Sequence, residues 1–176
     1  MKKQIFVNSL IYLVAIICGC LINIPVSALF LRILNLFIVV DYYIGAIFCA
    51  VMGFIVVGGV VGALTFFESY KSAEFSPAKV TLSVLLAEVF HLPIATLLGF
   101  YPFIAGGTRY LAGLIDMGTH FDSLEMIEDI YLWSYLGAFA IYSALYVVSA
   151  LVCGYLGRKK RLDIRSSLEG YEQVDN

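Results

Sequence analysis

The chain has 176 residues, of which 61% are hydrophobic and 14% charged, and its net charge is −2; its mean hydropathy is +0.93. Soluble domains carry about 25% charged and about 45–50% apolar residues, so this composition excludes a water-soluble globular domain. The charges are also segregated: residues 4–31, 42–67 and 130–157 contain none, and each run reaches the roughly 20 apolar residues that cross a bilayer.

In chain order, residues 4–24 form the first expected span, opened by Lys2 and Lys3 and closed by Asn23 and Pro25. The charged start followed by an apolar run also fits a signal peptide. "ICGC" is a poor lipoprotein signal and further spans follow, so an uncleaved first helix is expected. Residues 26–40, "VSALFLRILNLFIVV", are apolar but short and carry Arg32. Residues 42–67 are an unambiguous span with aromatic residues at both ends, where interfacial anchoring favours them. A polar loop is expected over 68–79, "ESYKSAEFSPAK", then a span over 80–104 interrupted by Pro93. The Gly-rich stretch 105–117 is ambiguous, residues 116–129 are acidic, and 131–157 form the last span. Cys18, Cys20, Cys49 and Cys153 all sit in apolar runs and imply buried thiols rather than a disulfide framework.

The fold class read from this pattern is an all-α polytopic membrane bundle with four firm spans and two doubtful short segments, hence four or six crossings. Residues 1–157 form one transmembrane domain, and 158–176 a tail that is basic and then acidic. The cluster Arg158, Lys159, Lys160 and Arg161 reads as a stop-transfer anchor, not a nucleic-acid site. With the N-terminal lysines it places both termini in the cytoplasm of a cell (inner) membrane protein. Four crossings put nine Lys or Arg inside and leave only Arg32 and Arg109 outside. Six crossings move Lys71 and Lys79 outside and bury the two arginines, so charge bias prefers four.

Small residues at four-residue spacing mark where helices can approach closely, which is how helices pack inside lipid. They are Gly58/Gly62, Ala46/Ala50, Ala15/Gly19 and Ala140/Ala144, and packing within the chain is the plainer use of them.

The chemistry-bearing stretch is 85–93, "LLAEVFHLP", which sets Glu88 and His91 three residues apart in an apolar run. That spacing points both from one helix face. Glu88 follows Lys79 by nine residues, about 13 Å along a helix and so near mid-bilayer. An ionised carboxylate there costs at least ~2.5–3.5 kcal/mol, so it is neutral or partnered. Two readings stand level: a polar cavity that binds a solute, with Arg32 or Arg109 as counter-charge, or a pairing of Glu88 with Arg32 or Arg109 that only fixes helix register. Metal binding is disfavoured, because carboxylate-bridged helical sites of this spacing use a second E-x-x-H and two more glutamates. The acidic loop offers His120, Asp122, Glu125 and Glu128 but no nucleophile elbow, HExxH or phosphate loop. Neither an enzyme nor a cofactor is expected.

From Asn35 the sequence runs "NLFIVVDYYIGAIFCAVMGFIVVGGVVGALTFF", with Asp41, Ile44-Gly45, Gly53, Gly58, Gly62 and Thr65 as its punctuation, and "GFYPFIAGGTRYLAGLIDMG" follows later. This resembles the early part of the substrate-binding S components of energy-coupling-factor vitamin transporters. The resemblance implies six partly short helices and capture of an unidentified small solute from outside. It further implies a transmembrane coupling subunit with ATPases as partner. The rival expectation is an accessory or assembly protein that docks onto a larger membrane complex.

Overall fold

A computed structural model of the chain describes residues 2–38, 42–72, 75–98, 111–115 and 132–174. Four long helices carry the fold: α1 (Lys2–Leu34), α2 (Tyr42–Lys71), α3 (Pro77–Leu98) and α4 (Leu132–Val174). Each contains a stretch long and apolar enough to cross a membrane, and a short helical turn occupies 111–115.

Three boundaries differ from the sequence expectation. The first helix does not stop at Pro25: α1 runs unbroken through it to Leu34. Proline deletes one helical donor, but in hydrocarbon any other backbone geometry leaves more groups unsatisfied, so the helix persists. Pro25 is exposed, and on the buried side Ser27 Oγ donates to Asn23 Oδ1 at 2.9 Å. Residues 26–34 therefore continue α1 in its own direction and make no separate crossing. The polar loop expected at 68–79 is shortened at both ends, because Glu68–Lys71 completes α2 and Pro77 opens α3. Proline is favoured in a first helical turn, where its missing donor is not needed. The last helix passes Gly157 without a break and carries on to Val174. Its 43 residues measure about 65 Å at 1.5 Å per residue, roughly twice a hydrocarbon core of about 30 Å.

Helix directions follow from the pairs that touch. Tyr12 bonds Thr65 and Gly19 meets Val57, so α1 and α2 are antiparallel. Between α2 and α4, Ala50 pairs with Tyr142, Gly58 with Ser149 and Tyr70 with Arg161, at nearly constant sequence separations of 92, 91 and 91. Those two helices are therefore parallel. On α3, His91 lies against Phe139 while Phe75, just before the helix, lies against Gly154, so α3 runs opposite to α4. Around the bundle α1 packs on α2 and α3, and α4 packs on α2 and α3, which sets α2 and α3 on a diagonal. Chain direction alternates through α1, α2 and α3, and α4 runs with α2. The start of α1, the end of α2, the start of α3 and the basic stretch of α4 consequently meet at one end.

The α2–α4 seam is close. A β-carbon on Gly62 would sit 2.8 Å from Cys153 Sγ and from Ser149 Oγ, and one on Gly157 would meet the Phe66 carbonyl. Hydroxyls cross the same seam, Tyr142 donating to the Ala50 carbonyl at 2.6 Å and Ser149 to the Gly58 carbonyl at 2.7 Å. At the basic end Arg161 donates Nη1 to the carbonyls of Tyr70 (3.2 Å) and Lys71. A guanidinium there satisfies the last acceptors of α2 and faces the negative end of its dipole.

The interior holds polar side chains while much of the helix surface is apolar. Ser9, Thr65, Ser83, Glu88 and His91 are buried, while Val14, Leu29, Phe67 and Val89 are exposed. In water that distribution would be costly; against lipid tails it is the expected one. The chain is a multi-pass helical membrane protein.

Candidate functional site

Glu88 and His91 occupy the inward face of α3, with Val84 and Ala87. Both are 3% exposed, and His91 Nδ1 lies 3.3 Å from Glu88 Oε2. The i,i+3 spacing makes this contact local, while burial comes from α1 and α4 packing over the α3 face. Phe139 of α4 covers the imidazole, with ring centroids 5.8 Å apart. Cys20 of α1 and Tyr135 and Tyr146 of α4 stand within electrostatic range of the carboxylate.

The second carboxylate oxygen is the notable atom. Glu88 Oε1, Tyr135 Oη and Ser83 Oγ are buried and have no hydrogen-bond partner among the described residues. Leaving such a group unmet costs about 1–3 kcal/mol, more when it is charged, and orphaned buried groups in native structures need a reason. Two of the three, Glu88 Oε1 and Tyr135 Oη, belong to side chains that interact with each other electrostatically. The arrangement is a polar site in an apolar bundle with unused acceptor and donor capacity.

The other residues singled out in the sequence fall as follows. Arg32 is exposed in the last turn of α1; it follows Cys20 by twelve positions, so it stands well along α1 from the Glu88 neighbourhood. Arg109, His120, Asp122, Glu125 and Glu128 lie outside the described residues. Gly58 and Gly62 face α4, Gly58 lying near Tyr146, and Gly19 faces α2 with its constructed β-carbon 3.0 Å from Val57 Cα. Ala15 is half-buried on α1, Ala140 is exposed on the outer face of α4, and so is Ala144. Among the described residues no group of three or more His, Cys, Asp or Glu is placed to hold a metal ion.

Sequence reasoning missed Tyr135, Tyr146 and Ser83. It also missed a second polar group, in which Tyr12 Oη lies 3.0 Å from Thr65 Oγ1 and 3.4 Å from Glu68 Oε2. Tyrosine in an apolar run reads as bulk, and Glu68 at the edge of such a run reads as loop. A tyrosine three residues into the last helix is the one signal that could have drawn notice.

Compared with family models, with curated proteins and with solved structures, the chain matches none. The chain is therefore classed as a polytopic helical membrane protein whose described residues include four long apolar helices and a buried, incompletely satisfied carboxylate–imidazole pair.

Proposed function

We propose that this protein takes up a small solute across the cell (inner) membrane as a substrate-binding integral subunit, with both termini in the cytoplasm. The observation that carries the reading is the unmet capacity of Glu88 Oε1 and Tyr135 Oη inside the bundle. Ionisable groups within a membrane are expensive and mark solute or ion pathways as a rule. A register-fixing pair has no use for a second, unpartnered oxygen, and a binding site does. The chain itself offers no energy source, so the reading calls for a partner. A transmembrane coupling subunit with ATPases, as the S-component likeness implies, would fill that place.

Purified protein in proteoliposomes with its partner, or intact cells scored for solute accumulation, tests this. Glu88→Gln keeps size and hydrogen-bonding capacity, so the variant is expected to fold and to lose uptake. Wild-type uptake by both Glu88→Gln and His91→Ala removes the site from the mechanism.

Orientation rests on charge bias applied to the shared end of the helices, where Lys3, Lys71, Lys79 and Arg158–Arg161 gather. Ser72 is exposed in the α2–α3 connection. In a background lacking the four native cysteines, Ser72→Cys is expected to resist an impermeant thiol reagent on intact cells and to label after permeabilisation. Labelling from outside reverses the orientation.

A docking role in a larger complex has one observation of its own. The helix α4 continues for thirteen residues past Arg161, its last described contact with α2. Recovery of a stoichiometric membrane partner that does not transport, together with intact uptake after loss of the chain, would favour that reading.

A further inference from the structure

We infer that the bound species is a small monovalent cation, and that Tyr12, Thr65 and Glu68 form a second station for it near the basic end of the bundle. This rests on the uptake reading above and adds to it a ligand class and a second site.

The second station is short of donors. Thr65 Oγ1 donates its proton to the Val61 carbonyl at 2.8 Å. That leaves the single proton of Tyr12 to serve both Thr65 Oγ1 at 3.0 Å and Glu68 Oε2 at 3.4 Å. A carboxylate, a hydroxyl and a phenol thus turn more lone pairs toward one place than these three side chains supply hydrogens to meet. The first station repeats the pattern: Glu88 Oε1 on α3 and Tyr135 Oη on α4, two helices that pack together, are both buried without a hydrogen-bond partner among the described residues. Both sites present oxygen ligands from one carboxylate and a tyrosine, which suits a hard cation. A single carboxylate at each favours a single positive charge. Lys71 and Arg158–Lys160 are exposed, and no described ion pair joins a lysine or arginine to either carboxylate. The one basic group described at either site is His91, on the other oxygen of Glu88.

Helix register puts the two stations at different depths with an apolar layer between them. Ile16 is one turn beyond Tyr12 on α1, Val61 one turn before Thr65 on α2, and Val84 one turn before Glu88 on α3. These three, with Val57 and Ala150, are buried in one continuous cluster. Glu68 is half-buried at the end of α2 and Glu88 is enclosed. Two oxygen-lined stations separated by a mainly apolar layer, in which Ser83 beside Val84 is a buried polar exception, are what a protein needs to hold a cation on one side and receive it on the other.

The test uses the purified full chain with sodium, potassium and ammonium chloride, each compared with N-methylglucamine chloride at equal ionic strength. Thermal stability in detergent reports binding, and dye-reported cation flux in proteoliposomes, with the energising partner where one is required, reports passage. The wild type is expected to gain melting temperature with at least one small cation and to pass it. Glu88→Gln is expected to lose both. Glu68→Gln is expected to keep most of the thermal gain and lose flux by about tenfold or more, as removal of a charge-assisted contact implies. Its melting temperature in N-methylglucamine chloride checks that it folds. Wild-type flux in Glu68→Gln overturns the second station and leaves the uptake reading intact. Failure of every cation to stabilise or pass, while uptake of a neutral or anionic solute still needs Glu88, overturns the cation class alone. Indifference of all transport to Glu88→Gln overturns the uptake reading itself.

Discussion

His91→Leu is expected to destabilise the protein by about 3–5 kcal/mol, the range for removing one partner of a buried ion pair. The loss comes from the carboxylate left behind more than from the contact removed. Glu88 is 3% exposed, its Oε2 faces His91 Nδ1 at 3.3 Å, and its Oε1 has no partner among the described residues to take up the charge. Leucine fills the space of the imidazole and keeps contact with Phe139, so packing changes little. The double variant Glu88→Leu/His91→Leu is expected to recover most of the loss, since apolar replacement of a whole buried pair is often neutral or stabilising. Chemical unfolding in detergent micelles, read by far-ultraviolet circular dichroism, measures both. A loss of only about 1 kcal/mol in His91→Leu would identify the contact as a neutral hydrogen bond. The double variant also separates stability from function, because it is expected to fold and not to transport.

At Gly157 a single methyl is expected to push α2 and α4 apart. A β-carbon there would meet the Phe66 carbonyl oxygen, with Phe66 C and Cα each at 3.2 Å. All three are backbone atoms of α2, so no side-chain rotation relieves them. Overpacking of this kind costs about 1–3 kcal/mol, and the parallel α2–α4 seam must shift to absorb it. Gly157→Ala should therefore lower stability and weaken the Tyr142 and Ser149 bonds across the seam. At Gly62 the same change meets Cys153 and Ser149 side chains, which can turn aside, so a smaller loss is expected. Gly59 is the control: a β-carbon there meets nothing within 4 Å. Gly59→Ala should be neutral or gain up to about 1 kcal/mol from helix propensity. Melting temperatures of the three variants order the effects, and equal values for Gly157→Ala and Gly59→Ala would remove the seam from the stability of the fold.

These expectations draw on features of unequal legibility. Four helices long and apolar enough to cross a membrane were readable because length, missing charge and polar punctuation are local properties. The shared face of Glu88 and His91 was equally readable, since a three-residue offset fixes it on any helix. The continuity of α1 through Pro25 was not. Proline rules describe helices in water, where a broken turn can be hydrated, and hydrocarbon removes that option.

Everything that depends on which side of a helix faces inward needed the tertiary structure. In a soluble bundle the apolar stripe reveals the buried face; lipid tails are as apolar as a protein core, so both faces of α1, α2 and α4 read alike in sequence. That is why Gly58 and Ala140 carried the same signal while one lies near Tyr146 and the other is exposed on the outer surface. It is also why Tyr12 and Glu68, separated by 56 positions, could not be paired in advance. Composition and local spacing were enough to settle the solvent of this protein, its four firm apolar segments and the shared helix face of Glu88 and His91. Only the packed bundle decided helix order, the parallel α2–α4 seam and the polar groups around that pair, because those follow from contacts between distant segments whose outward faces the bilayer leaves unmarked.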